Sequence, residues 1–353
     1  MVGAEAVVQT VGRGKVSVIE GDGIGHEVIP AAVAVLSSLS LGLEFEHFDA
    51  GAERYLATGE ALPQPMYDQV VQADAVLLGA IGDPRIKDSG YSTQVLMRLR
   101  TGLDLYANVR PALLLDDRLS PLRDPSRRHL DVIVLRENTE GLYSGQGSTF
   151  NAGSEREVAI QDHYNTHLGV SRVIEYAFTI ARREVAMADK WNAMPHAGAL
   201  WQRRFWAIAA AHPQVPARHL MIDAAALHLL QDPSQFDVIV TENAFGDILS
   251  DLCGGLAGGL GVAPSANLNP TTGKGMFEPV HGSAPDIAGR GIANPLAAIL
   301  TGALMLDHLG FKREAGAVRA AVAATVREGE CTRDLGGNLS TSEVRDAVIR
   351  RLG

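Results

Sequence analysis

Asp247 and Asp251 lie four residues apart in the stretch 243–252 (NAFGDILSDL), so a helix there puts both carboxylates on one face. Two like charges on adjacent turns repel. A hard divalent cation, Mg²⁺ or Mn²⁺, relieves that repulsion with the oxygen ligands it prefers. The plainer alternative is a solvated acidic face. Arg100, Arg110 and Arg136 form a second set: Arg100 closes a helical segment, while Arg110 and Arg136 follow apolar, strand-like residues at 106–109 and 132–135. Ligands bind beyond strand ends at the open edge of an α/β sheet, and a guanidinium grips a carboxylate with two parallel bonds. Surface ion pairing accounts for Arg98, Arg127 and Arg128. Lys190 stands in Asp189-Lys190-Trp191-Asn192, where bulky apolar neighbours can tune an ammonium towards proton transfer. Tyr143, just past the strand of Arg136, is a candidate acid.

These side chains need elements to hold them. The apolar run 16–19 ends in Glu20-Gly21-Asp22-Gly23, a buried strand entering a turn. A helix follows over about 26–39, with Val28, Ile29, Ala32, Val33, Val35 and Leu36 on its apolar face and Pro30 in its first turn. Residues 43–48 and 75–78 read as strands, which implies an α/β fold with parallel strands. The grammar repeats with strands at 131–135 and 236–241 and helices at 170–182 and 199–211. The C-terminal part is helical over 293–309, 313–327 and 341–352. Residues 144–168 show little periodicity and are expected to form a functional arm or interface. Residues 1–14 read as a loose extension.

The balance of 31 Lys and Arg against 41 Asp and Glu, a net charge of -10 over 353 residues, argues against nucleic acid or an anionic membrane as partner. Only five cations are Lys, so Lys190 is conspicuous. Two cysteines, Cys253 and Cys331, exclude a disulfide scaffold and suit a reducing cytosol. No apolar run reaches the ~18 residues of a membrane span, and no signal peptide is evident. A soluble cytoplasmic protein is expected. Gly21-Asp22-Gly23-Ile24-Gly25 fails as a dinucleotide fingerprint because His26 occupies the third glycine position. Gly273-Lys274 fails as a phosphate loop, since Gly275 replaces the required Ser or Thr. His163 and His167 lack the Glu of a zinc-protease helix.

Taken together, the segments GDGIGHEV (21–28), LRTGLDLYANVRP (99–111), RENTEGLYSG (136–145), DKWN (189–192), ID (222–223), TENAFGDILSDL (241–252) and FEPVHGSAPDIAGRGIANP (277–295) resemble one family. It is the β-decarboxylating dehydrogenases, which include 3-isopropylmalate, isocitrate, homoisocitrate and tartrate/D-malate dehydrogenases. The resemblance spans about residues 16–310. It implies an isopropylmalate/isocitrate dehydrogenase-like fold, two α/β domains sharing a large mixed sheet, rather than a Rossmann fold. The domains expected are 1–108 plus 260–353 for cofactor and 109–259 for substrate, metal and dimerisation. By the resemblance, Arg100, Arg110 and Arg136 hold the malate carboxylates, and Asp247 and Asp251 bind Mg²⁺ or Mn²⁺ with Asp223 of the other subunit of a homodimer. Lys190, also from the partner, moves the C2 hydroxyl proton with Asp223, and Tyr143 protonates the carbon left after CO₂ departs. Cofactor contacts fall on Ile24, Asn192, Glu278, His281, Gly282, Ser283, Ala284, Asp286 and Asn294. The metal acidifies the hydroxyl and stabilises the enolate.

Asp286 suits a ribose diol and repels a 2′-phosphate, and NADP-using relatives carry Lys-Tyr where this chain has Asp286-Ile287. NAD is therefore the expected cofactor. Leu96 and Met97, on the helix before Arg100, form an apolar wall that suits the branched group of 3-isopropylmalate. Isocitrate enzymes typically have Ser and Asn where this chain has Gln94 and Leu96. Thr93, where isopropylmalate enzymes often have Glu, and the RENTEG and SANLNP (265–270) segments lean towards tartrate/D-malate or isocitrate relatives. A non-catalytic regulatory subunit would have lost some of Tyr143, Lys190, Asp223, Asp247 and Asp251, and all five are present.

Overall fold

The computed structural model describes residues 14–87 and 90–353; all but the last residue of the expected N-terminal extension lies outside them. The chain opens with β1 (Lys15–Ile19), α1 (Gly25–Ser38), β2 (Glu44–His47), α2 (Ala52–Thr58), α3 (Gln64–Val70) and β3 (Ala75–Leu78). A helical stretch follows: α4 (Gly90–Ser92), a π-helical turn at Thr93–Met97, then α5 (Arg98–Gly102). Strands β4 (Ala107–Leu113) and β5 (Asp131–Glu137) lead to the short pair β6 (Gly147–Phe150) and β7 (Val158–Gln161). Next come α6 (His167–Ile180), β8 (Val185–Asp189), α7 (Pro195–Ala211), β9 (Ala217–Met221), α8 (Ile222–Gln231), β10 (Val238–Thr241) and α9 (Asn243–Leu256). The hairpin β11 (Ala266–Asn269) and β12 (Lys274–Phe277) precedes α10 (Leu296–His308), α11 (Lys312–Arg327) and α12 (Thr341–Arg350).

Among the described residues, ten strands form one sheet in the order β2-β1-β3-β12-β11-β4-β5-β10-β8-β9. Most neighbours are parallel, but β11 is antiparallel to β12 and β4, and β4 is antiparallel to β5. The sheet is therefore mixed. The boundary expected at 108/109 falls within β4, which pairs with β11 on one side and β5 on the other.

Strand alternation sorts the apolar residues into three cores. Val16, Val18, Ala186, Ala188 and Ile239 face one side, under α1, α8, α9 and α10 to α12. On the other side, Ile19, Val76 and Leu78 pack beneath the α2–α5 region, while Val185, Met187, Val238 and Val240 pack against α6 and α7. Both cysteines are free and buried, and burial pushes the Cys253 thiol up to about 12. No helix among the described residues is long and apolar enough to cross a membrane.

Two expectations need correction, and one strand was not expected. Pro30 is inside α1, its sixth residue, because the helix begins at Gly25; the carbonyl of exposed His26, which the missing N–H leaves unbonded, can be met by water. Residues 144–168 are not without structure, since β6 and β7 pair as an antiparallel ribbon from Gly147↔Gln161 to Phe150↔Val158. Four-residue strands flanked by Gly, Ser and Asn leave too short an alternation to read. Hydropathy also hid β11, whose buried Asn267 and Asn269 replace apolar residues. Asn267 is satisfied instead: its Oδ1 accepts from Asn108 and Asn138 at 2.8 Å each, and its Nδ2 donates to Glu278 at 3.0 Å.

Fully buried Asp237 ties the start of β8 to that of β10, accepting backbone N–H bonds from Arg182 (2.6 Å), Arg183 (2.5 Å) and Glu184 (3.3 Å). Burial opposes its charge, but these bonds and the Arg182 guanidinium prevail and hold its pKa below the usual range. Its contribution is thus complete above the ordinary carboxylate range and is lost as pH falls through the lowered folded value. Asp237→Ala removes the acceptor of three backbone N–H groups and is expected to cost about 3 kcal/mol, read as a lower urea midpoint at unchanged m.

Candidate active site

Arg110 and Arg136 are brought together by sheet register. In the antiparallel β4–β5 pair, Arg110 sits opposite Val134, so Arg136 is its diagonal neighbour on the same face. The sequence led us to expect both near strand ends: Arg136, the sixth of the seven residues of β5, is there, but Arg110 is the middle of the seven residues of β4 and stands on the sheet face. The cause is the antiparallel β4, which leaves no common open edge there. Thr241, the last residue of β10, pairs with Arg136, so α9 begins beside it. Glu242 caps that helix, accepting from Phe245 N at 3.0 Å and Ala244 N at 3.1 Å. Gly246 permits the close approach: a Cβ there would lie 2.6 Å from the Arg136 Cβ.

Helical spacing then aims Asn243, Asp247, Ser250 and Asp251 at the arginines. Arg136 Nη1 bonds Asp247 Oδ1, and its Nε donates to Asn243 Oδ1 at 2.9 Å. Arg110 Nη1 reaches Ser250 Oγ at 2.7 Å, Asp247 Oδ1 at 3.2 Å and Asp251 Oδ1 at 3.8 Å. Tyr143 approaches from the side, its hydroxyl donating to Asp247 Oδ2 at 3.4 Å, with the Arg136 guanidinium 5.6 Å from its ring centre. Asn243 and Ser250 were missed in the sequence, although their spacing from Asp247 was the available signal. Arg100 joins through Glu278, Nη2 to Oε1 at 2.5 Å.

Burial lowers the pKa of Arg110, and burial with the charge of Arg110 lowers that of Arg136. Both cations are destabilised where they stand and gain from any further anion. Arg100 Nε and Arg110 Nε are buried without a hydrogen-bond partner. Burial raises Asp251, and neighbouring Asp247 adds to the shift. Asp247 Oδ2 and the Asp251 carboxylate keep coordination capacity, a hard-oxygen set that fits Mg²⁺ or Mn²⁺.

Lys190 and Asp223 form a pair of their own, Nζ to Oδ1 at 2.6 Å, and the Lys190 hydrogen bond lowers the Asp223 pKa. Among the described residues no hydrogen bond or ion pair joins them to Asp247 or Asp251, and no three His, Cys, Asp or Glu of one chain group for a metal. Asn192 is exposed beside Lys190. His163 does not gather with His167; its Nε2 lies 3.4 Å from Glu242.

The expected cofactor residues split into two groups. Ile24 N donates to Ser283 O at 2.8 Å, joining the 21–25 turn to the 281–284 loop. Gly23, at φ +55°, is required there, since a Cβ would lie 2.1 Å from Ser283 O. Ala284 also has positive φ, 40°. Burial lowers the His281 pKa, and its Nε2 is buried with no partner. Gly282 and Asp286 are exposed. A cleft of about 560 Å³ opens alongside, between Gly23, Glu27, Gly82, Arg85, Pro285 and Gly289. Glu278 and Asn294, by contrast, are engaged by the fold: Asn294 donates to Asp334 at 2.8 Å and caps Leu296 N at 3.0 Å. Leu96 and Met97 lie half-buried on the π-helical turn, with Leu96 packed on the core below, and Gln94 accepts from Ala61 N at 2.9 Å.

Comparison with known proteins identifies the family. A family model described as isocitrate/isopropylmalate dehydrogenase matches residues 15–348. The chain is 46% identical to a 3-isopropylmalate dehydrogenase of Rhodococcus erythropolis, over 96% of this chain and 100% of that protein. It is 42% identical to one from Thermobifida fusca, over 96% and 97%. Among solved structures, isocitrate dehydrogenase from Methylococcus capsulatus superposes with a TM-score of 0.89 at 34% identity, over 96% of this chain and 99% of that one. A β-decarboxylating dehydrogenase from Thermococcus kodakarensis gives a TM-score of 0.79 at 37% identity, over 96% of each. The chain thus belongs to the isocitrate/isopropylmalate dehydrogenase family, as a β-decarboxylating dehydrogenase acting on a CH–OH group.

Proposed function

We propose that this enzyme carries out NAD-dependent oxidative decarboxylation of 3-isopropylmalate to 2-oxoisocaproate, with Mg²⁺ or Mn²⁺, as a homodimer sharing its active sites. The observation that carries the reading is the convergence of Arg110 and Arg136 on the Asp247–Asp251 face, with Arg100, paired to Glu278, close enough for its charge to act on Arg110. Three guanidiniums suit a dicarboxylate, and the half-buried Leu96 and Met97 suit an alkyl group at C3. The curated relatives compared above are named 3-isopropylmalate dehydrogenases, which favours that substrate over tartrate, D-malate or isocitrate.

Each side chain then has a task. The arginines clamp the carboxylates and fix C2 towards the nicotinamide. Asp247, Asp251 and the partner subunit's Asp223 would hold the cation, which when bound supplies Lewis-acid polarisation of the C2 oxygen. Lys190 of the partner subunit acts with its Asp223 in moving the proton off the C2 hydroxyl, and Tyr143 OH delivers one to the carbon that loses CO₂. The dimer is supported by exposed apolar side chains on α8 and α9 (Leu227, Leu230 and Ile248) and on the β6–β7 ribbon (Phe150, Val158 and Ile160). An isolated two-stranded ribbon is marginal in water, so a covering partner is expected. Residues 1–108 plus 260–353 are proposed to carry the cofactor, and 109–259 the substrate, metal and dimer contacts.

The test is CO₂ release by the purified protein with Mg²⁺ and NAD on 3-isopropylmalate, D-malate, tartrate, isocitrate and homoisocitrate. The highest kcat/KM is expected on 3-isopropylmalate. A higher value on any other malate transfers the reading to that substrate. NAD is expected to exceed NADP by about 100-fold in kcat/KM, since exposed Asp286 faces a 2′-phosphate with like charge. Asp286→Lys should narrow that ratio, and equal use of both cofactors by the wild type would overturn the assignment.

A further inference from the structure

Asp189, the last residue of β8, is buried with 4% of its surface exposed, and its bonds surround the turn that carries Lys190. Oδ1 accepts from His219 Nε2 at 2.7 Å and from Trp191 N at 3.2 Å, while Oδ2 accepts from Gln202 Nε2 at 3.0 Å. Those donors come from β9, the turn itself and α7. The 2.7 Å contact assigns the His219 proton to Nε2. Lys190 O accepts from Ala193 N at 3.0 Å and Met194 N at 2.9 Å, closing the turn from the other side. Gly198 completes the seat: a Cβ there would lie 2.3 Å from Trp191 Cα, so the turn rests directly on α7.

We propose that Asp189, His219 and Gln202 act as positioning residues that hold Lys190 Nζ against Asp223 before substrate arrives. The inference rests on the roles given above to Lys190 and Asp223. Its geometry is specific: one carboxylate fixes the backbone immediately after Lys190 and also a side chain four residues before Asp223. Strands β8 and β9 are already joined in register from Val185↔Ala217 to Asp189↔Met221, so the sheet does not need this link. The Lys190 turn does. A long, flexible ammonium stem finds its partner reliably only if its root is fixed.

The experiment uses the dimeric enzyme with Mg²⁺, NAD and the best malate. His219→Ala is expected to lower kcat by about 10–100-fold while both KM values move less than about threefold. His219→Gln, whose amide Nε2–H can occupy the same place, should restore most of the loss. Added to Lys190→Ala, His219→Ala should cost nothing further, because both remove one function. A readout independent of turnover is acrylamide quenching of Trp191 in a Trp206→Phe background, Trp201 being buried. His219→Ala should raise that quenching and His219→Gln should not. Unchanged quenching overturns the proposal whatever the enzyme oxidises. So do multiplying losses in the double variant, or a glutamine no better than alanine. A wild type that decarboxylates no malate, with quenching raised as expected, would sink the roles of Lys190 and Asp223 and leave the device holding the turn.

Discussion

Asp247→Asn is expected to reduce kcat/KM by about 10³-fold or more, because one carboxylate serves three partners. Its Oδ1 is the counter-charge for Arg136 and Arg110, whose side chains are only 4% and 10% exposed. Its Oδ2 faces the Tyr143 hydroxyl and is open to a cation. An amide of the same shape keeps the volume and one acceptor oxygen, so the helix and sheet should survive. What disappears is the negative charge on which the proposed cation site depends and which offsets two desolvated guanidiniums. Isothermal titration with Mn²⁺ should show weakened binding by the variant, while its circular dichroism matches the wild type. Turnover within tenfold of wild type would remove Asp247 from the metal set. A companion effect follows from Asp251: its raised pKa means protons compete with the cation at higher pH than for an ordinary aspartate, so Mn²⁺ affinity should fall early on acidification.

Mixing two inactive variants should restore activity. On the proposed roles, Lys190→Ala lacks the proton-moving group and Asp247→Asn lacks a metal ligand, and each variant alone is expected to be inactive. If Lys190 serves the neighbour's Asp247, a hybrid dimer contains one site with both groups intact and one with neither. Random exchange by unfolding and refolding makes about half the dimers hybrids, each with one working site of two, so the mixture should reach about a quarter of wild-type activity. The arrangement of this chain motivates the test: Lys190 pairs with Asp223, and among the described residues no hydrogen bond or ion pair joins that pair to Asp247 within one subunit. Sites completed within one subunit would leave the mixture inactive. The experiment therefore separates a shared site from a self-contained one without depending on which malate is used.

Local chemistry was the legible part. The i, i+4 spacing of Asp247 and Asp251, the three arginines after apolar runs, and the lone Lys190 in a Lys-poor chain all follow from residue type and short-range periodicity. So did the main helices and the buried parallel strands, whose apolar runs need no partner to be recognised. The strands that failed to show were those whose burial is satisfied by hydrogen bonds: β11, with Asn267 buried among Asn108, Asn138 and Glu278, has no hydropathy signal. The β6–β7 ribbon was invisible because its apolar residues are too few and lie on the surface.

By itself the sequence determined which groups could bind a cation and a dicarboxylate, and that the chain is an α/β protein. Only the tertiary structure decided who meets whom. Register between antiparallel β4 and β5 placed Arg110 and Arg136 on one face, and Gly246 let α9 approach closely enough for Asp247 to reach both. The same packing engaged Glu278 with Arg100 and Asn294 with Asp334, two residues whose motif alone pointed to a cofactor. The reason is physical: periodicity along a chain fixes which face a side chain points from, but a contact between residues 110 and 247 depends on the register and separation of elements distant in sequence.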